Sequence, residues 1–446
     1  MNNSAVDIKQ WIDGRPVSRY QWMILFLCFL IVTFDGLDAA IMGFIAPAVI
    51  QDWNISRTAF GPIMAAAMVG LAVGALVSGP YSDRFGRRRV LLWSVAAFGI
   101  FSAVSAFAST PVELAAFRFL TGLGLGAAMP NSTTLLSEYI PQRLRGILIT
   151  LMFMGFGLGS ASGGFISAWM VPQFGWHAVL LLGGILPILL LPVLYFLLPE
   201  SVDLMINRGF ARPRILSVLR RMGASFPDNV EFATTAPVGK QTANKVRRLF
   251  EPHYRARTIS LWCTYFMGLV VIYLLTGWMP TLIKDAGVSL ERAAIVTAMF
   301  QFGGLVGIVL VGAAMDRFSP KAVIALAYIS GALCIFALGF VELGTTALGA
   351  LVFAAGFCIN GAQTGLNAFA PGQYPTDFRA TGVSWMLGIG RTGGILASMS
   401  GGALLSLGLP LHVIFAVLGI PAVLAAIAIM AGPKVNPVQL NAQPGH

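Results

Sequence analysis

Between residues 22 and 431 the chain returns twelve times to an apolar run of about twenty residues, the length an α-helix needs to cross roughly 30 Å of hydrocarbon. Backbone in lipid must satisfy its own polar groups, and runs this long do so as helices. They fall at 22–42, 60–79, 90–108, 112–136, 147–170 and 177–198, then at 259–279, 293–315, 322–339, 346–369, 381–402 and 412–431. With 57% hydrophobic and 11% charged residues, little is left over for a soluble domain. The expectation is an all-α membrane protein with 12 transmembrane helices. The first run follows a polar start and no small-residue cleavage site comes after it, so it reads as a retained span.

A net charge of +11 could point to nucleic acid, but its distribution points to the membrane. If the amino terminus is cytoplasmic, the cytoplasmic tails and loops hold 24 of the 29 Lys and Arg residues, and the outer loops hold only Arg57, Lys284 and Arg292. That asymmetry follows the positive-inside rule and predicts both termini in the cytoplasm. No P-loop, HExxH or nucleophile elbow is present, the four histidines are scattered, and all four cysteines lie in the apolar runs. Neither enzyme, ATP-driven pump, metal site nor cofactor is expected.

The one long polar stretch, 199–258, divides the spans six and six, giving halves at 1–198 and 259–446. Its basic segment "NRGFARPRILSVLRRMG" reads as an amphipathic helix lying against the inner leaflet. Landmarks recur across it. "GPYSDRFGRRR" (79–89) matches "GAAMDRFSPK" (312–321) at a spacing of 233, and Arg145 in "EYIPQRLRG" matches Arg379 in "QYPTDFRATG" at 234. The halves are pseudo-repeats, an arrangement in which transporters place substrate at the repeat interface near mid-membrane.

Away from the ends of the runs only Asp35, Asp38, Arg118 and Arg391 carry charge, with Glu138 at the inner end of the fourth. Each costs a few kcal/mol to bury, roughly, and calls for a partner or a cavity. Asp35 and Asp38 share a helix face, and two close carboxylates at low dielectric do not both ionise readily, which suits proton coupling. The alternative is that one of them holds an arginine or caps an unwound turn at Gly36. Arg118, followed by Gly122, Gly124 and Gly126, either binds an anionic substrate or neutralises the aspartates. Arg391 is the better candidate for reading a substrate carboxylate. Asn360, Gln363 and Asn367 form a polar stripe on the tenth run, and the seventh contributes Tyr265 among other aromatics.

"GPYSDRFGRRR" resembles the signature loop of the major facilitator superfamily, and "RFLTGLGLGA" (118–127) its fourth-span arginine motif. The resemblance implies that superfamily's fold of two pseudo-symmetric six-helix halves. "DGLDAAIMGFIAPA", "NSTTLLSEY", "TYFMGLVVIYLLTGWMPTL" and "YPTDFRATGVSWMLGIGR" resemble the aromatic acid:proton symporter family. That implies uptake of aromatic carboxylates such as 4-hydroxybenzoate or protocatechuate with protons across a bacterial inner membrane. Its partners are a small aromatic acid, protons and lipid, not nucleic acid, and the chain is expected to act as a monomer. The resemblance further implies functional roles for Asp35, Asp38 and Glu138 in coupling, for Arg118 and Arg391, and for Asp83 and Asp316. With Arg84, Arg145, Arg317 and Arg379, these two loop aspartates are expected to form the gate. The second signature copy is degraded, with Ser319 and Pro320 in place of the Gly-basic pair. Proton-coupled efflux is the competing activity, against which Ser160 stands where the efflux motif carries proline.

Overall fold

A computed structural model describes residues 6–226, 232–233, 245–339, 344–375 and 378–433, without the side chains of 6, 83, 233, 245, 345 and 380. The long helices are α2 (Arg19–Asp52), α3 (Arg57–Phe85), α4 (Arg87–Ser105), α5 (Pro111–Tyr139) and α6 (Arg145–Leu197), then α10 (Pro252–Asp285), α11 (Leu290–Arg317), α12 (Pro320–Leu338), α13 (Thr345–Phe369), α14 (Arg379–Ser406) and α15 (Leu411–Ala431). The short ones are α1 (Ile8–Asp13), α7 (Val202–Asn207), α8 (Arg212–Arg221) and α9 (Lys245–Arg248), and a two-residue parallel ladder joins Val6–Asp7 to Phe232–Ala233.

Eleven long helices carry twelve spans because α6 holds two. It is interrupted at Gly175 (φ 77°, ψ 172°), a conformation only glycine adopts readily, and the fifth and sixth apolar runs lie on either side. The repeat is visible in the backbone itself. α2 and α10 are both 34 residues long and start 233 apart, while α4 and α12 are both 19 long and start 233 apart. Even the left-handed residues pair: Asn54 (φ 50°) with Gly287 (φ 88°), and Gly175 with Gly408 (φ 63°), each at a spacing of 233.

Packing divides the chain otherwise than the linker does. One unit comprises Met1–Ala39, Val69–Gly159 and Leu180–Lys240, the other Ala40–Met68, Ser160–Val179 and Gln241–His446. In the first, α2 and α6 cross at glycines: a methyl on Gly36 would overlap the Phe156 backbone, and one on Gly159 the Thr33 carbonyl. Gly124 and Gly126 of α5 give the same close approach to α4 and α3, in keeping with their spacing. The core of this unit also takes in Ile8 and Ile12 of α1, Val202 and Met205 of α7, and Ile215 and Leu219 of α8. The apolar face of α8 is therefore buried in protein rather than laid on the leaflet, which corrects the sequence expectation. Arg221 stands 5.9 Å from the Tyr20 ring and Arg15 donates to the Gly223 carbonyl at 2.9 Å.

In the second unit, the far ends of α2, α3 and the first half of α6 pack on helices of the second repeat. Gly43 abuts the backbone of Thr276 and Gly277, Gly61 that of Met399, and Phe60 meets Trp278 edge to face at 6.2 Å. Arg57 and Asp285 pair at 2.7 Å at the rim, and Gln301 donates to Ser160 Oγ at 2.6 Å.

Candidate functional site

The buried charges of the first repeat meet on three helices. Asp35, Asp38 and Arg118 are 1%, 2% and 0% exposed. Arg118 Nη1 donates to both Asp38 oxygens at 3.2 Å, Nε and Nη2 donate to Ser105 Oγ at 3.1 and 2.9 Å, and Nη2 also reaches Thr121 Oγ1 at 3.1 Å. Ser102 completes the network by donating to Asp38 Oδ1. Ser105 and Thr121 pass their own protons back to the Phe101 and Phe117 carbonyls, which leaves their oxygens free to accept. A guanidinium this deep is tolerated because each of its nitrogens has an acceptor. Arg118 is thus paired with Asp38, the arrangement that the neutralising reading expects. Gly36 lies in unbroken helix, so no unwound turn needs a cap there.

At the linker end of the same unit, Glu138 pairs with Arg87 and accepts from Ser201, while Glu200 accepts from the backbone amides of Arg88 (3.1 Å) and Ser201 (3.0 Å). Gly86, at φ 99°, makes room, since a Cβ there would strike the Glu200 carboxylate. Glu138 thus stands with the signature loop and not beside Asp38. Arg145 donates to the Ser137 carbonyl at 2.8 Å and Arg84 is exposed. Asp83 lies on α3 with its side chain outside the described residues, so its expected pairing with Arg145 does too. In the second repeat Asp316 and Arg317 stand exposed at the end of α11, and Arg379 donates to the Tyr374 carbonyl at 3.2 Å. Tyr374 lies just past the span and donates to Thr258 Oγ1 at 3.3 Å. Burial raises its pKa above the ordinary value, and that bond works the other way.

The second repeat gathers a different set. Gln363 on α13 donates to the Tyr265 carbonyl of α10 at 3.5 Å. Gln363 Oε1 accepts from Tyr328 of α12 at 2.5 Å. Gly390 sits flat against the Tyr265 ring and Gly394 against Tyr273, so α14 can bring Arg391 in beside the aromatics of α10. Tyr265 and Gln363 are buried, Arg391 is half-buried and Asn367 exposed, so the cluster runs from packed interior to an accessible end. Asn360 does not join it: its amide packs on Gly304 of α11 and donates to the Gly356 carbonyl at 3.3 Å.

The sequence profile of the Major Facilitator Superfamily matches residues 28–349 and, overlapping it, 261–445. A gallate transporter of Pseudomonas putida is 56% identical over 429 residues, 96% of this chain and 95% of that protein. The 4-hydroxybenzoate transporter PcaK of Pseudomonas aeruginosa is 51% identical over 95% of each. The chain belongs to the Major Facilitator Superfamily. The inward-open xylose transporter XylE from E. coli shares the fold at a TM-score of 0.70, with 18% identity and 92% and 95% of the two chains covered. The protein is thus a multi-pass membrane transporter and not an enzyme.

Four side chains of this transporter's clusters lie outside what the sequence singles out. Ser102 and Ser105 are three apart on one apolar helix, and Thr121 is one turn beyond Arg118. Those spacings are the available signal. Tyr328 carries none, since a lone tyrosine in an apolar run reads as packing.

Proposed function

We propose that the transporter takes up hydroxylated aromatic carboxylates with protons across the bacterial inner membrane, with the linker and both termini in the cytoplasm. The observation that carries this reading is Arg391, half-buried on α14 next to Gly390, which abuts the Tyr265 ring, with the Gln363 amide bonded to the Tyr265 backbone. A guanidinium fork takes a carboxylate in two parallel bonds, a tyrosine face takes the ring, and amides take ring hydroxyls. The named relatives suit that chemistry: gallate carries three ring hydroxyls and 4-hydroxybenzoate one. Asp38 is occupied by Arg118, so we assign the transported proton to Asp35, one helical turn away. Proton and substrate act on the two states only through differential affinity, which is how binding drives alternating access.

Uptake of radiolabelled 4-hydroxybenzoate into proteoliposomes under an inward proton gradient tests the reading, with gallate, protocatechuate, benzoate, gentisate and a lipophilic cation as competitors. The expected result is uptake abolished by a protonophore and displaced by hydroxylated benzoates. Competition by the cation alone, or export against the gradient, would replace it with efflux.

A further inference from the structure

We propose that the second repeat carries an anion site on the linker face, formed where the starts of α10 and α12 meet the ends of α13 and α15, which binds one phosphate-type oxyanion group between Arg257 and Lys321. The recess there is lined by Arg257, Lys321, Ser260, Gln373 and Gly432 among others, with no carboxylate among its described lining residues. Arg257 is 8% exposed, and its Nε and Nη1 have no hydrogen-bond acceptor among the described residues. Its guanidinium stands 5.8 Å from the Tyr254 ring. Lys321 donates to the Gly432 carbonyl at the other wall. Burying an unpaired guanidinium is costly, and a phosphate oxyanion is the group its fork fits best.

The repeat explains why the acceptor is missing. In the first copy Glu138 takes Arg87, and Glu200 takes the Arg88 amide. The counterpart of Arg88 is Lys321, 233 residues on; that of Glu138 is Gln373, 235 on; that of Glu200 is Lys434, 234 on, which lies outside the described residues. Both carboxylates have been exchanged for an amide and a cation. Ser319 stands where Gly86 leaves room for the glutamate, and Arg257 stands where the first copy has the buried Ile24. Arg87, the partner of Glu138, is replaced as well, by Pro320, but Lys321 keeps the charge of Arg88, Arg257 adds another and both carboxylates are gone, so a bound anion completes the second copy. Two sources offer that chemistry: free phosphate, and the headgroup of an anionic phospholipid in the adjoining leaflet.

The full-length protein, delipidated in an uncharged detergent without aromatic acid, is titrated with inorganic phosphate at constant ionic strength. In parallel it is placed in phosphatidylcholine nanodiscs with or without phosphatidylglycerol, and melting temperature is read in both arms. Stabilisation by phosphate whose midpoint rises about tenfold in Arg257→Gln and Lys321→Gln assigns a free anion. Stabilisation by phosphatidylglycerol alone, lost in the same variants, assigns a lipid headgroup. Gln373→Glu restores the first copy's carboxylate; it should fold and lose the response, and so it decides the matter if Arg257→Gln does not fold. A response equal in wild type and Gln373→Glu, or no response in either arm, overturns the site.

Discussion

The buried cluster around Arg118 and the one around Arg391 use the same cation on opposite principles. Arg118 is fully buried and has an acceptor for each nitrogen, all supplied by the protein: Asp38, Ser105 and Thr121. Arg391 is half-buried next to Gly390, which abuts the Tyr265 ring, and no carboxylate pairs with it among the described residues. The first arrangement is one that folding completes. On the function proposed above the second is one that a ligand completes, and the difference would separate a residue that holds the helices of the first repeat together from one that reads a substrate.

Substitution should break that contrast most visibly at Asp38. Asp38→Asn strands a buried guanidinium and should cost about 3–5 kcal/mol, a loss seen as a large fall in melting temperature, whereas Arg391→Lys should melt as wild type. Equal melting of wild type and Asp38→Asn would remove the structural role from the Arg118 network. Next in size is Gly36→Val, which forces a side chain into the Phe156 backbone at the α2–α6 crossing and should cost at least 1–3 kcal/mol, roughly, by overpacking. Thermal denaturation in detergent measures it, and an unshifted transition would mean that the crossing can open without penalty.

Arg391→Lys sharpens the other side of the comparison. It keeps the charge and loses the fork, so affinity for 4-hydroxybenzoate should fall about tenfold, or ~1.4 kcal/mol, in an equilibrium binding assay. An unchanged affinity would rule out two-point recognition of the carboxylate. Tyr328→Phe removes the donor to Gln363 and should cost ~1 kcal/mol of stability, with binding weakened by a smaller factor than in Arg391→Lys. The smallest effect belongs to Asn360→Ala, expected within about 0.5 kcal/mol and without change in substrate affinity; a large affinity loss would return Asn360 to the cluster.

Much of the architecture is legible in the amino-acid sequence, because lipid leaves a helix few alternatives: the twelve runs, the 233-residue spacing and the short list of membrane charges all follow from hydropathy and repetition. Pairing is harder. Whether Arg118 serves a substrate or Asp38 depends on Ser102, Ser105 and Thr121, hydroxyls that look alike in any apolar helix. Asn360 shares the helix face of Asn367, but the two lie about 10 Å apart along α13. Helices cross at an angle, so the same face meets α11 at one level and α10 at another. Glu138 looks like a membrane carboxylate because sequence marks the end of a helix only to within a turn, and its partners Arg87 and Ser201 come from distant segments. The fate of α8 is equally hidden, since an amphipathic pattern shows that one face is apolar without showing what covers it.

That last feature bears on how the protein is made. With α1, α7 and α8 built into the core of the first unit, the nascent chain has the described groups that close that core once residue 233 has left the ribosome, before any of α10 has been inserted. A gene divided after the codon for Leu198 should yield an amino-terminal fragment with raw apolar surface. Dividing it after Ala233 leaves that fragment its own cover, and the two pieces a chance to assemble in one membrane.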